Sequence, residues 1–107
     1  MNAACPYALY LGRLAPNSQR SIASQLNSIA DLLSWPENKR EMMYHKIDFQ
    51  QASHIKALLV ANGWSARSIN RAMTAIRSIV KVAVMSGLVP EIQLVQLRAI
   101  SKVSHGA

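Results

Sequence analysis

Acidic residues are scarce in this chain: five Asp and Glu stand against twelve Lys and Arg, for a formal charge of +7 over 107 residues. A surface of that sign repels cationic partners and attracts polyanions over long range, so DNA, RNA or an anionic membrane suits it. Cysteine is scarcer still. With Cys5 alone there is no internal disulfide and no four-cysteine zinc site, and a reducing compartment fits. His45, His54 and His105 form no close ligand pair, so each is expected at the surface or partly packed, with no metal and no cofactor. No apolar run approaches the ~20 residues that span a bilayer, and Met1-Asn-Ala-Ala-Cys-Pro-Tyr7 lacks the charged start and apolar run of a signal peptide. A soluble, cytoplasmic protein is therefore expected, without a membrane partner or a small-molecule substrate. Glycine and proline number four each while half the residues are hydrophobic. That excludes a low-complexity or disordered basic tail and leaves one domain with a real core.

Strand signals are missing as well. Every strong periodicity is helical and no hairpin or βαβ pattern appears, which predicts an all-α fold, a compact bundle of four to five helices. Tyr7 to Leu14 reads as a short apolar helix anchored by Leu9 and by Leu11 or Leu14, stopped before Pro16. Asn17 or Ser18 is the expected cap of a second helix reaching about Ser34. Its apolar face holds Ile22, Leu26, Ile29 and Leu33, with Arg20, Ser24, Asn27, Ser28 and Asp31 opposite. Residues 37–46 read as a charged loop. Asp48 and Gln51 have the spacing of a capping box, so a helix is expected from Phe49, burying Ile55, Leu58 and Leu59 and ending at Asn62-Gly63. Trp64 reads as a core plug after that turn. Ser65 caps the next helix and Gly87 closes it, with Ile69, Met73, Ile76 and Val80 completing the expected core. Pro90-Glu91 opens a last short helix carrying Ile92, Leu94, Val95, Leu97 and Ile100. The domain is thus read as residues 1–100, and the aperiodic 101–107 as the start of a linker.

The functional signal lies in residues 65–86. At about 100° per residue, Ile69, Met73, Ile76, Val80, Ala83 and Val84 gather into an apolar stripe, and Arg67, Asn70, Arg71, Thr74, Ser78 and Lys81 gather opposite, with Arg77 on the shoulder. Solvated helix faces usually mix acids among the bases at i,i+4, and this one has none. Arg supplies bidentate contacts to phosphate or guanine, and Asn70 and Thr74 are of the types that read base edges. Arg20, Ser24 and Asn27 of the second helix are short or flexible polar groups able to support a phosphate backbone. A basic solvated face is the bland reading of the same pattern.

The run Ser65-Ala-Arg-Ser-Ile-Asn-Arg-Ala-Met-Thr-Ala-Ile-Arg-Ser-Ile-Val-Lys-Val-Ala-Val-Met-Ser-Gly-Leu-Val89 resembles a stretch of the tyrosine recombinases of the phage-integrase family. There a small residue and Thr or Ser precede Ile-Asn-Arg, then Leu-x-x-Leu-Arg and a helix ending in Gly-Leu. Tyr10-Leu-Gly-Arg-Leu-Ala-Pro-Asn-Ser-Gln-Arg-Ser21 is similar to the start of that family's N-terminal core-binding (SAM-like) domain. Met73 stands where the family often has leucine, a volume-conserving change, and residues 39–46 match poorly. The resemblance implies an all-helical domain that grips one recombination half-site in duplex DNA, with other recombinase protomers as further partners in DNA integration and recombination. It also implies that catalysis belongs to a separate domain beyond the linker. The family's arginine, His-x-x-Arg pair and nucleophilic tyrosine have no counterpart here: His54-Ile-Lys-Ala does not reproduce the motif, and Tyr7, Tyr10 and Tyr44 are misplaced for a nucleophile. No catalytic residue is expected in this chain.

Two other classes share these features. A helix-turn-helix regulator needs a short helix and a tight turn before its recognition helix, and Ala61-Asn-Gly-Trp-Ser65 supplies such a turn. A protein-interaction module would use Met42-Met43 and the last helix as its surface, its charge serving solubility alone.

Overall fold

In the computed structural model, which describes residues 5–104, the chain forms six α-helices and one 3-10 turn, with no strand among the described residues. The all-α expectation holds. His105 and residues 105–107 of the expected linker lie outside the described residues.

Helices α1 (Pro6–Gly12) and α2 (Pro16–Leu32) each carry proline in the first turn, where its missing N–H costs nothing and its fixed φ is already helical. Proline thereby displaces the expected cap. Ala15, not Asn17 or Ser18, precedes α2, and its carbonyl takes the Gln19 N–H at 2.8 Å. In α1 the anchors are Tyr7 and Leu11, whereas Leu9 points outward and Leu14, past the helix end, is half-buried.

Helix α2 stops before Ser34, which is left-handed at φ 58°. Its N–H bonds the Asp31 carbonyl at 3.1 Å and the Trp35 N–H bonds that of Ala30 at 3.0 Å, the paired closure of a Schellman turn, which swings Trp35 into the core. The same pair of bonds closes α4 (Phe49–Ala61) at Gly63, φ 79°, and α5 (Ala66–Met85) at Gly87, φ 75°. At those two ends glycine announces the turn; at Ser34 no residue type does.

Residues 37–46 are not a plain loop. They contain α3 (Arg40–Met43) and the 3-10 turn Tyr44–Lys46, too short for a hydrophobic period to reveal them. Tyr44 is fully buried, edge-on to Trp35 with centroids 4.9 Å apart and stacked near Tyr7 at 5.7 Å, and its hydroxyl donates to the Leu26 carbonyl. Arg40 bridges Asp31 at 3.1 Å, Asn27 at 3.4 Å and the Trp35 carbonyl at 2.9 Å. His45, expected near the surface, is buried; burial lowers its pKa from the ordinary histidine value, with Lys46 adding to the effect. The exposed His54 fits the expectation.

At α4 and α5 the expected N-caps form. Asp48 accepts from the Gln51 N–H at 2.8 Å and Ser65 from the Ser68 N–H at 3.1 Å, each satisfying one orphan donor of a first turn.

Helix α5 is the hub, packing on α1, α2, α4, the 3-10 turn and α6 (Glu91–Arg98). Its buried arc is wider than the expected stripe: Ala72, Ala75 and Ile79 join Ile69, Met73, Ile76, Val80 and Ala83, while Val84 is half-buried. The alanines let neighbouring helices approach on more than one side. Elsewhere Leu33 and Leu58 are only half-buried, and Trp64 packs against the core from its edge. Helix α6 buries Leu94 and Leu97 but exposes Ile92 and Val95. The Gln93 amide pins it by donating to the carbonyls of His45 at 2.9 Å and Ile47 at 2.8 Å.

Candidate nucleic-acid interface

Because α5 is covered on so many sides, only a narrow strip of it meets solvent. Arg67, Arg71, Thr74, Lys81 and Met85 are exposed and Ser78 half-exposed, and at 100° per residue these six fall within about 80° of arc. Tyr10, Arg13 and Leu14 rise beside the strip from α1 and the residues after it, with Ser18 and Ile22 of α2. On the other side stand Leu94 and Arg98 of α6, and Lys102 closes the end beside Asn70 and Arg71. Three concavities adjoin along the helix, sharing Tyr10 and Leu14, then Thr74, then Ser78 and Lys81. The strip is therefore the middle of a shallow trough, with concavities along both flanks.

Six cations line that trough: Arg71 and Lys81 on the floor, Arg13, Arg77, Arg98 and Lys102 on the walls. Among the described residues the one ion pair is Arg40–Asp31, at another corner, so no carboxylate neutralises the trough. Crowding of like charge is visible at Arg77, where burial, then the neighbouring Arg98, lowers the pKa from its ordinary value. Arginine stays charged regardless. Burial raises the pKa of the Tyr10 phenol from its ordinary value, with Arg71 opposing. Arg71 is held across the helices by donating to Ser21 Oγ at 2.8 Å, and Arg77 donates to Thr74 Oγ1 at 3.2 Å.

Of the residues the sequence singled out, Arg71, Thr74, Arg77, Ser78 and Lys81 come together here, and Arg67 extends the strip at its N-terminal end. Asn70 does not present a base-reading amide. Its Nδ2 donates to the Val103 carbonyl at 2.9 Å and its Oδ1 accepts the Val103 N–H at 2.8 Å, which uses both ends of the group. Arg20, Ser24 and Asn27 are not part of the trough either. Their i, i+4, i+7 row leads to Asp31 and Arg40: Arg20 donates to Asn17 at 3.2 Å, the Ser24 carbonyl accepts from Ser28, and Asn27 accepts from Arg40. The rotation of α2 is set by burying Ile22, Leu26 and Ile29, and that rotation turns Ser18 and Ser21 toward α5 instead. Arg13, Arg98 and Lys102 escape sequence reading because each arrives from a different element; only the net charge counted them.

The trough offers donors and positive potential, which is the chemistry of anion contact. Among the described residues no three His, Cys, Asp or Glu side chains group as metal ligands, and no helix is long and apolar enough to cross a membrane. Compared with models of known families, with curated proteins and with solved structures, the chain matches none. The resemblance to the recombinase core-binding domain accordingly rests on the quoted residues alone.

Proposed function

We propose that this chain binds double-stranded DNA by seating a phosphate backbone along the α5 trough. One observation supports this above the others: cations from four parts of the chain converge on one concave strip that no carboxylate shares. A helix flanked by neighbours on both sides grips phosphates more readily than it enters a major groove, and phosphate contacts give affinity and register without sequence information. Thr74 and Arg67 remain the groups of this strip best suited to base edges. The reading agrees with a core-binding domain of a tyrosine recombinase, whose catalytic residues would be encoded beyond Ala107; an arginine and a His-x-x-Arg series there would establish that family.

Salt titration of duplex binding is the test. Each neutralised phosphate contributes ~0.9 to the log–log slope, so engagement of most of the six cations gives a slope of roughly −4 to −5. Affinity that stays flat between low and physiological salt sinks the proposal. It would favour instead the protein-interaction reading, for which the exposed Leu88, Ile92 and Val95 are the supporting observation. A regulator of helix-turn-helix type has the short turn between α4 and α5 in its favour, but its recognition helix must project, and α5 is flanked on both sides.

A further inference from the structure

The segment after α6 crosses the molecule along a fixed line. Lys56 of α4 donates to the Ser101 carbonyl at 2.6 Å and reaches Ser101 Oγ at 3.3 Å. Two residues later the Asn70 amide pairs with both backbone groups of Val103. An amide side chain has one acceptor and one donor end, so it can imitate the edge of a β-strand and hold a passing backbone in register. The contact is half-buried, with both bonds of ordinary length. Between these two anchors lies Lys102, which the path delivers into the trough beside Arg71, Thr74 and Tyr10.

We infer that Asn70 is a positioning residue, seating residues 101–104 across α5 so that Lys102 becomes part of the DNA-gripping surface. This rests on the DNA reading above and adds to it a coupling. If the seated segment contributes a phosphate contact, DNA must stabilise the seat by the same factor that the seat strengthens DNA binding. Asn70 acts on DNA without touching it, and its effect is blind to base sequence.

Hydrogen exchange at the Val103 N–H reads the seat directly. That amide should be protected in the free chain, more protected with duplex DNA added, and unprotected in Asn70→Ala. Lys56→Met, which loosens the other anchor and leaves α5 untouched, should lower the protection partway. Duplex affinity then reads the coupling. Losing one phosphate contact costs roughly five- to tenfold at 0.1 M salt, so Lys102→Ala and Asn70→Ala, both checked for unchanged helicity, should each weaken binding by about that factor on cognate and random duplexes alike. The double variant should be no weaker than either single one. Multiplying losses in the double variant, an Asn70→Ala variant that binds as the parent does, or one that loses only cognate DNA, each overturns the inference. The two readings also fail separately. Val103 unprotected with salt-dependent binding intact removes the seat and keeps the DNA reading, whereas Val103 protected in a chain that binds no duplex removes the DNA reading and leaves the seat.

Discussion

Arg40 and Lys81 are long cations on the same small domain, and they have opposite surroundings. Arg40 is almost enclosed, its side chain 12% exposed, and its guanidinium bridges Asp31, Asn27 and the Trp35 carbonyl where α2 turns back. Lys81 stands on the trough floor, exposed, among Arg13, Arg77 and Arg98, without an acid. The first arrangement engages a cation within the fold through both terminal nitrogens of its guanidinium; the second leaves cations whose mutual repulsion an external anion would relieve. Even at the Arg40 corner the ion pair itself is a minor part, because the Asp31 side chain is 72% exposed and remains solvated. The weight there falls on the part-buried Trp35 carbonyl and on the packing of the arginine stem. What a positive charge does in this protein follows from its neighbours, not from its residue type.

The contrast depends on the rotation of α5, and the largest expected effect tests that rotation. Ile76 is fully buried on the side opposite the trough, so Ile76→Ala should cost ~2–5 kcal/mol in denaturant unfolding, the range for truncating a packed aliphatic. A loss under ~1 kcal/mol would mean that the helix is turned and the strip of cations misplaced.

Arg40→Met comes next. It keeps much of the stem and removes the bonds to Asp31, Asn27 and Trp35, so stability should fall by ~1–3 kcal/mol, most of it from the stranded carbonyl. The slope of DNA affinity against salt should stay unchanged. A variant that lost salt dependence while keeping its stability would reverse the roles given to the two regions.

The smaller effect of Ser34→Gly bears on the same corner. Ser34 holds φ 58° without the freedom that Gly63 and Gly87 have at equivalent helix ends, and Arg40 reads the turn it makes through the Trp35 carbonyl. Relieving a left-handed non-glycine residue gains more than the added unfolded-chain freedom loses, for a net stabilisation of roughly 0.5–1 kcal/mol. A destabilised glycine variant would show that the Ser34 side chain contributes something its backbone geometry does not reveal.

These sites also mark how far sequence reading reached. Asp48, Gly63, Ser65 and Gly87 are legible because a cap acts on residues three or four positions away, within the reach of local chemistry. Tyr44 bonds a carbonyl 18 residues back and Asn70 a backbone 33 residues on, and neither partner leaves a mark near the residue that uses it. The same limit divides the trough. Arg71 and Lys81 follow from the 3.6-residue period of one helix, whereas Arg13, Arg98 and Lys102 reach it only through tertiary packing. Arg20, Ser24 and Asn27 do lie on the exposed side of α2, but that side faces away from the trough, and Asn27 at its end meets Arg40.

Lys81→Ala is the complement of Arg40→Met and should have the smallest effect on folding. The side chain is exposed, has no hydrogen-bond partner among the described residues and adjoins only like charges, so its removal should change stability by less than ~0.5 kcal/mol. Relief of repulsion from Arg13, Arg77 and Arg98 sets the sign: the variant should be level with the parent or slightly more stable at low salt, the difference vanishing as salt screens it. Its effect on DNA should be plain by comparison. Affinity should fall for cognate and random duplexes equally, with the salt slope shallower by ~0.9 for the one phosphate released. If Lys81→Ala unfolds the protein as readily as Arg40→Met does, the trough is part of the fold's own charge network, and its openness to a polyanion is no longer supported.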